Sequence, residues 1–166
     1  MGARLRMRIG LNTGPMVVGF TGSEKKLCYT ALGDAVNTGS RLEGANKFYG
    51  SQILASESTV AGLEDRFVIR ELDRIRVQGR RRPVAVFEIM AEAPGNAQLH
   101  ERVAFYTRAL GRYRDQDWDG AEEILRELLS AQPDDASAKA LMARIALLRG
   151  ASLPADWDGV YEAISK

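Results

Sequence analysis

A single cysteine, Cys28, and a single histidine, His100, deprive this 166-residue chain of several chemistries at once. One thiol cannot make an intrachain disulfide or a multi-cysteine zinc site, and a free thiol suits a reducing cytoplasm. A Cys/His nucleophilic pair is disfavoured too. The two residues lie far apart along the chain and His100 falls within an expected helix, so a structural thiol and a surface imidazole are the simpler reading. No apolar run approaches the roughly eighteen residues that a membrane span requires, and no signal-peptide pattern follows Met1, so a soluble chain without membrane contact is expected. Charge of one sign is missing as well. With 23 basic and 22 acidic residues the net charge is +1, which supplies no field to gather nucleic acid or anionic lipid. No Gly-x-x-x-x-Gly-Lys-Ser/Thr string occurs, and Gly19 to Lys26 lacks its spacing, so a P-loop is excluded.

What is present is an ordinary globular composition, 45% hydrophobic and 27% charged, in a length that holds one domain or two small ones. Leu5, Met7, Ile9 and Leu11 alternate with Arg4, Arg6, Arg8 and Gly10, the pattern of a half-buried strand. Met16 to Gly19 reads as a second strand, and Thr13-Gly14-Pro15 as the turn that pairs the two in a hairpin. From Asp34, a plausible N-cap, Ala35, Gly39, Leu42, Ala45 and Tyr49 follow helical spacing until Gly50 ends the pattern. A short strand at Gln52 to Ala55 and a short helix capped by Ser56 or Ser58 come next. Two long strands, Phe67 to Val77 and Val84 to Met90, are joined by a turn from Gln78 to Pro83. The run Arg80-Arg81-Arg82 in that turn reads as solvated hairpin charge or, alternatively, as a phosphate or partner contact.

Composition changes at Ala91 to Asn96, and beyond it the pattern is helical: about Gln98 to Asp115, Trp118 to Ala131, Asp135 to Arg149 and Asp156 to Ser165. Asp119 and Asp156 are candidate N-caps. Phe105, Ala109, Ala121, Leu125, Leu128 and Pro133 fall at the spacings of a tetratricopeptide repeat. One repeat and a fraction cannot bury its own faces, so these helices are expected to pack on the N-terminal part or on another chain. Asp-Trp-Asp-Gly occurs twice, at Asp117 and Asp156, as repeated helix-start chemistry with an aromatic anchor.

Chemistry concentrates in Tyr29-Thr30-Ala31-Leu32-Gly33-Asp34-Ala35-Val36-Asn37-Thr38-Gly39-Ser40-Arg41-Leu42-Glu43. Asn37 and Arg41 stand four residues apart on the expected helix, off its apolar stripe, so an amide and a guanidinium project from one side toward a single polyanionic ligand. This segment resembles the second half of a class III nucleotidyl cyclase catalytic domain, the adenylate and guanylate cyclase family. The resemblance is carried also by Met7-Arg8-Ile9-Gly10-Leu11-Asn12-Thr13-Gly14, Val17-Val18-Gly19, Gly22-Ser23-Glu24, Asn46-Lys47-Phe48-Tyr49-Gly50, Ile53-Leu54-Ala55-Ser56 and Val77-Gln78-Gly79-Arg80. Order and spacing follow the bacterial members.

The resemblance implies that Arg41 stabilises the transition state and Asn37 orients the ribose. Arg8 matches a triphosphate contact, although the wet face of a strand would explain it equally. Thr30 lies where bacterial adenylate cyclases read adenine, which favours ATP. Gln78 departs from the family's usual Lys, and Arg80 offers a replacement cation. The family's two metal-binding Asp and its purine-reading Lys precede the matched region and have no counterpart here, so no residue of this chain is assigned to the Mg2+ or Mn2+ that the family implies.

The expected fold is α+β: a partial ferredoxin-like cyclase domain, with helices on an antiparallel-rich sheet, followed by a helical C-terminal region. Residues 1–91 would be the C-terminal portion of the cyclase domain, 92–97 a linker and 98–166 a helical, tetratricopeptide-like tail. The expected function is part of an adenylate cyclase that makes 3′,5′-cyclic AMP and pyrophosphate, a lyase of intracellular signalling. The expected setting is the cytoplasm, either free or as the cytoplasmic end of a longer membrane-anchored protein. Its partners would be ATP, a second copy or cyclase domain, and a protein bound through the tail; nucleic acid is not expected. The isolated chain is expected to be inactive. The alternative is a noncatalytic interaction module built on a degenerate cyclase half.

Overall fold

In the computed structural model, which describes residues 7–23, 26–75, 83–93, 96–154 and 157–160, the described part of the alternating N-terminal stretch, from Met7 on, holds the three-residue strand β1 (Ile9–Leu11). The expected hairpin with the next strand does not form. β2 (Val17–Ser23) pairs antiparallel with β3 (Lys26–Leu32), Val17 opposite Leu32 and Ser23 opposite Lys26, whereas β1 runs parallel to β4 (Ile53–Ser56). Period-two alternation tells which side of a strand is buried but not which strand sits beside it. Here the neighbour is set by the helix α1 (Asp34–Tyr49), which supplies the crossover that a parallel pair requires.

After β4 comes the single turn α2 (Glu57–Val60). Ser56 holds its N-cap position, and its hydroxyl meets those of Ser58 and Thr59 at 3.0 and 3.2 Å. β5 (Phe67–Ile75) and β6 (Val84–Glu92) then complete a four-stranded sheet of order β1-β4-β6-β5, antiparallel except for its first pair. β6 continues to Glu92, so Ala91 and Glu92 lie in the sheet opposite Val68 and Phe67. The expected turn at Gln78 to Pro83 falls, except for Pro83, outside the described residues.

Three helices follow: α3 (Ala97–Arg114), α4 (Trp118–Ala131) and α5 (Ala136–Leu148). Asp117, not the expected Asp119, caps α4 by accepting from the Gly120 N–H at 3.0 Å. Asp119 is already inside the first turn, where its carboxylate pairs with Arg149 at 2.8 Å. Asp135 caps α5 in the same way through the Ala138 N–H at 3.0 Å. Of the helix expected at Asp156 to Ser165, residues 157–160 are described and are not helical; the remainder, Asp156 included, lies outside the described residues. Trp157 joins Trp118 and Tyr113 in a trio of edge-on rings with centroids 5.4 to 5.7 Å apart, so the two Asp-Trp-Asp-Gly strings bring their tryptophans together.

One hydrophobic cluster runs from Leu42, Leu54 and Val86 of α1 and the sheet to Tyr106, Leu125 and Ile145 of the three helices. Charges are buried alongside it. Arg70 of β5, 1% exposed, donates to Glu88 and to Asp135 at 2.6 Å each and lies over the Tyr106 ring at 4.7 Å. Arg102 of α3 donates to the same Asp135 oxygen at 2.6 Å. Burial would raise the Asp135 pKa, but the Arg70 charge and the bonds from Arg70, Arg102 and the Ala138 N–H outweigh it and hold the carboxyl below the usual value. A carboxylate that caps one helix and ties a strand and a second helix satisfies most of its lone pairs, the condition under which buried charge is tolerated.

A break in register between Glu71 and Asp73 leaves Leu72 and Asp73 both buried. The extra residue of such a bulge re-aims the side chain that follows it. Asp73 thereby accepts from the Tyr49 hydroxyl at 2.7 Å and forms an ion pair with the Arg144 guanidinium of α5 at 2.7 Å. The Tyr49 pKa is raised well above its ordinary value, by burial first and by the Asp73 charge second.

Candidate functional site

Gly33 sits between β3 and α1 with φ 142, a conformation that L side chains rarely adopt, and its carbonyl accepts the Val36 and Asn37 N–H groups at 3.1 and 3.2 Å. Gly33, rather than Asp34, is therefore the N-cap. Asp34 opens the helix as its first residue, where a carboxylate complements the helix dipole. The buried positions along α1 are Ala35, Thr38, Leu42, Asn46 and Tyr49. Asn37 and Arg41 fall between them and are exposed, one turn apart on the solvent side.

Backbone contact sets the height of α1 over the sheet. A Cβ on Gly10 would lie 2.1 Å from the Gly39 carbonyl oxygen and 2.3 Å from the Glu43 nitrogen, so β1 passes closer to the helix than any side chain permits. Two buried or half-buried amides fasten this approach. Asn46 Nδ2 donates to the Ile9 carbonyl at 2.9 Å, as well as to Leu42 and Glu43 of its own helix, while its Oδ1 accepts from Ser51 at 2.8 Å. Asn12 Nδ2 donates to the Ala35 carbonyl at 2.9 Å. Sequence reasoning did not single out these anchoring residues; the available signal was a glycine inside a strand pattern, which marks a close backbone approach.

The remaining expected residues lie on other elements. Thr30, half-buried, is in β3 opposite Gly19, seven residues ahead of Asn37. Arg8 is exposed just before β1. Arg80 falls outside the described residues. The hairpin that carries Thr30 is strongly apolar on its surface: Val17 and Phe20 are each 73% exposed, Tyr29 67% and Leu27 63%. Exposed Cys28 also lies there.

Among the described residues no group of three or more His, Cys, Asp or Glu side chains is placed to hold a metal ion. The donor set of those residues does not fit the divalent ion of the resembled family. Among the described residues no helix is long and apolar enough to cross a membrane.

Residues 2–91 match the family described as Adenylate and Guanylate cyclase catalytic domain. The chain is similar to Adenylate cyclase 1 of Rhizobium meliloti (strain 1021), with 44% identity over 85 residues, covering 51% of this chain and 13% of that protein. It is similar also to the terminal-differentiation specific adenylate cyclase of Dictyostelium discoideum, 31% identical over 132 residues, or 76% of this chain and 6% of that one. That share is too large to fit within residues 1–91, so the match runs on into the C-terminal helices. Among solved structures, the adenylyl cyclase CyaB from P. aeruginosa is 33% identical with a TM-score of 0.48, covering 56% of this chain and 46% of that one. The chain thus spans only a small part of the curated relatives it matches. With more than half of its length in that match, and with the Asn37/Arg41 helix inside it, this chain belongs to the adenylate and guanylate cyclase catalytic domain family.

Proposed function

We propose that this chain is part of an adenylate cyclase that converts ATP to 3′,5′-cyclic AMP and pyrophosphate, contributing the triphosphate-gripping side of a shared site. The observation that carries the reading is the exposed Asn37/Arg41 pair on a helix whose height is fixed by the Gly10–Gly39 approach. Cyclisation requires the ribose 3′ hydroxyl to attack the α-phosphate as pyrophosphate leaves, and negative charge grows on the nonbridging and leaving oxygens. Arg41 meets that charge with a planar, permanently cationic fork that can bind two oxygens. Asn37, one turn earlier, orients the ribose so that the attack is in line. Arg8 and Arg80 add charge toward the triphosphate, and Thr30 reads the adenine edge.

The residues of this chain act on the nucleotide directly, and no step is assigned to Mg2+ or Mn2+, for which the chain offers no matching carboxylates. The 166 residues alone therefore bind but do not turn over ATP, and a second copy cannot supply what both lack. Pairing with another cyclase domain is supported by the apolar β2–β3 surface, since patches of this kind on a soluble protein mark interaction sites. The C-terminal helices form a tetratricopeptide-like segment available to a protein partner, in a cytoplasmic setting.

The test is calorimetry of the chain with a nonhydrolysable ATP analogue and manganese, repeated with Arg41→Ala. Binding that weakens about tenfold or more in the variant supports the reading, the usual scale for losing one charge-assisted contact. No binding at millimolar ligand would leave a docking module in its place. Turnover by the purified chain would refute the predicted inactivity.

A further inference from the structure

The C-terminal helices touch α1 at its far end, and they do so through polar groups. Ser137 in the first turn of α5 donates to the Tyr49 carbonyl at 3.0 Å, with both residues buried. Ala136 Cβ occupies the space that a side chain on Gly50 would need, 2.3 Å from such a Cβ. Arg144, two turns further along α5, shares the Asp73 Oδ2 oxygen with the Tyr49 hydroxyl and lies 5.7 Å from the centroid of the Phe48 ring.

These contacts differ in kind from those at the other end of the helix. At Gly10 and Gly39 two bare backbones meet and set the distance, and the amides that span this contact, Asn46 to the Ile9 carbonyl and Asn12 to the Ala35 carbonyl, are short side chains with little leverage against rotation of α1 about its own axis. Tyr49 is a longer lever against that rotation, because at the end of its long rigid side chain the hydroxyl donates to Asp73 Oδ2, the oxygen with which Arg144 of α5 also pairs. A rotation of about 10° moves a side-chain tip at roughly 6 Å from the helix axis by about 1 Å. Displacements of that size far from the chemistry can cost on the order of a hundredfold in rate.

We propose that α5 is a clamp that fixes the rotational setting of α1, with Arg144, Ser137 and Asp73 as positioning residues for Asn37 and Arg41. The helical tail is then a working part of the nucleotide-binding half rather than an appendage joined to it. Its consequence for the nucleotide rests on the reading of Asn37 and Arg41 above; the mechanical coupling does not.

The experiment is hydrogen exchange by mass spectrometry on the full chain and on Arg144→Met, Ser137→Ala and Leu128→Ala, each at the same interval below its own melting temperature. Leu128 is buried in α4, so its truncation loosens the tail core without removing a contact to α1. The clamp predicts that peptides covering residues 37–49 exchange about tenfold faster in Arg144→Met than in Leu128→Ala, and severalfold faster in Ser137→Ala at little change in melting temperature. Equal exchange of α1 in Arg144→Met and Leu128→Ala, with none gained in Ser137→Ala, would overturn it. If Arg144→Met does not fold, the Ser137→Ala comparison alone decides. Binding of the nonhydrolysable ATP analogue is measured alongside: weakening in Ser137→Ala joins the clamp to the site. A wild-type chain that binds no analogue removes the nucleotide reading and leaves the exchange result to judge the clamp.

Discussion

The β2–β3 hairpin and the seam between β5 and the C-terminal helices treat side chains in opposite ways. On the hairpin, valine, phenylalanine and tyrosine stand in solvent, whereas at the seam two arginines and two aspartates are almost wholly enclosed. Residue type alone predicts the reverse. The difference shows that burial follows partners. Arg70, Asp135, Asp73 and Arg144 are tolerated inside because each meets opposite charge, and the hairpin's apolar surface is exposed where none of the described residues covers it.

The contrast is broken most severely at Asp135. Asp135→Ala uncaps α5 and strands Arg70 beside only Glu88, and we expect a loss of about 3–5 kcal/mol in urea unfolding, as for removal of one partner of a buried pair. Gly10→Ala should come next, at about 1–3 kcal/mol, because its methyl group collides with backbone that must move; a melting curve measures it, and analogue binding should weaken with it. The acid limb of stability should report Asp135 as well. Its carboxyl ionises more readily in the folded than in the unfolded state, where the value is 3.8, so its contribution is full above that value and is lost as pH falls through the lowered folded one. Urea unfolding between neutral pH and pH 2 should show the decline, with a shallower slope in Asp135→Asn. The smallest effect on folding is expected from Phe20→Asp, within about 0.5 kcal/mol. In sedimentation velocity, however, that variant should abolish self-association if the hairpin is a pairing surface.

Much of the candidate site was legible beforehand because it depends on local rules. Gly33 before a helix, and an amide and a guanidinium four residues apart off its apolar stripe, need only helical geometry to be placed. The bounds of α4 were legible for the same reason, since turn chemistry and period agree there, and the α+β class followed from the alternation of elements. What escaped was whatever depends on a distant partner. Alternation at Ile9 to Leu11 says nothing about Ile53, and β3 lacked a one-sided pattern because its apolar residues face outward. Nothing in the strand pattern from Phe67 to Val77 marks Arg70 and Asp73 for burial, which is explained by the register break together with Asp135 and Arg144 from beyond the sheet. Asp117 and Asp119 both precede the same apolar pattern, and the choice between them as N-cap depends on which carboxylate reaches the Gly120 N–H.

The ring trio of Tyr113, Trp118 and Trp157 has a spectroscopic consequence. The chain holds two tryptophans and both belong to that trio, so tryptophan emission reports on the C-terminal helices rather than on the sheet. Far-ultraviolet dichroism sees the whole backbone. If the two signals melt along one curve, the sheet and the helices unfold as a single cooperative body; if emission changes first, the tail has its own threshold.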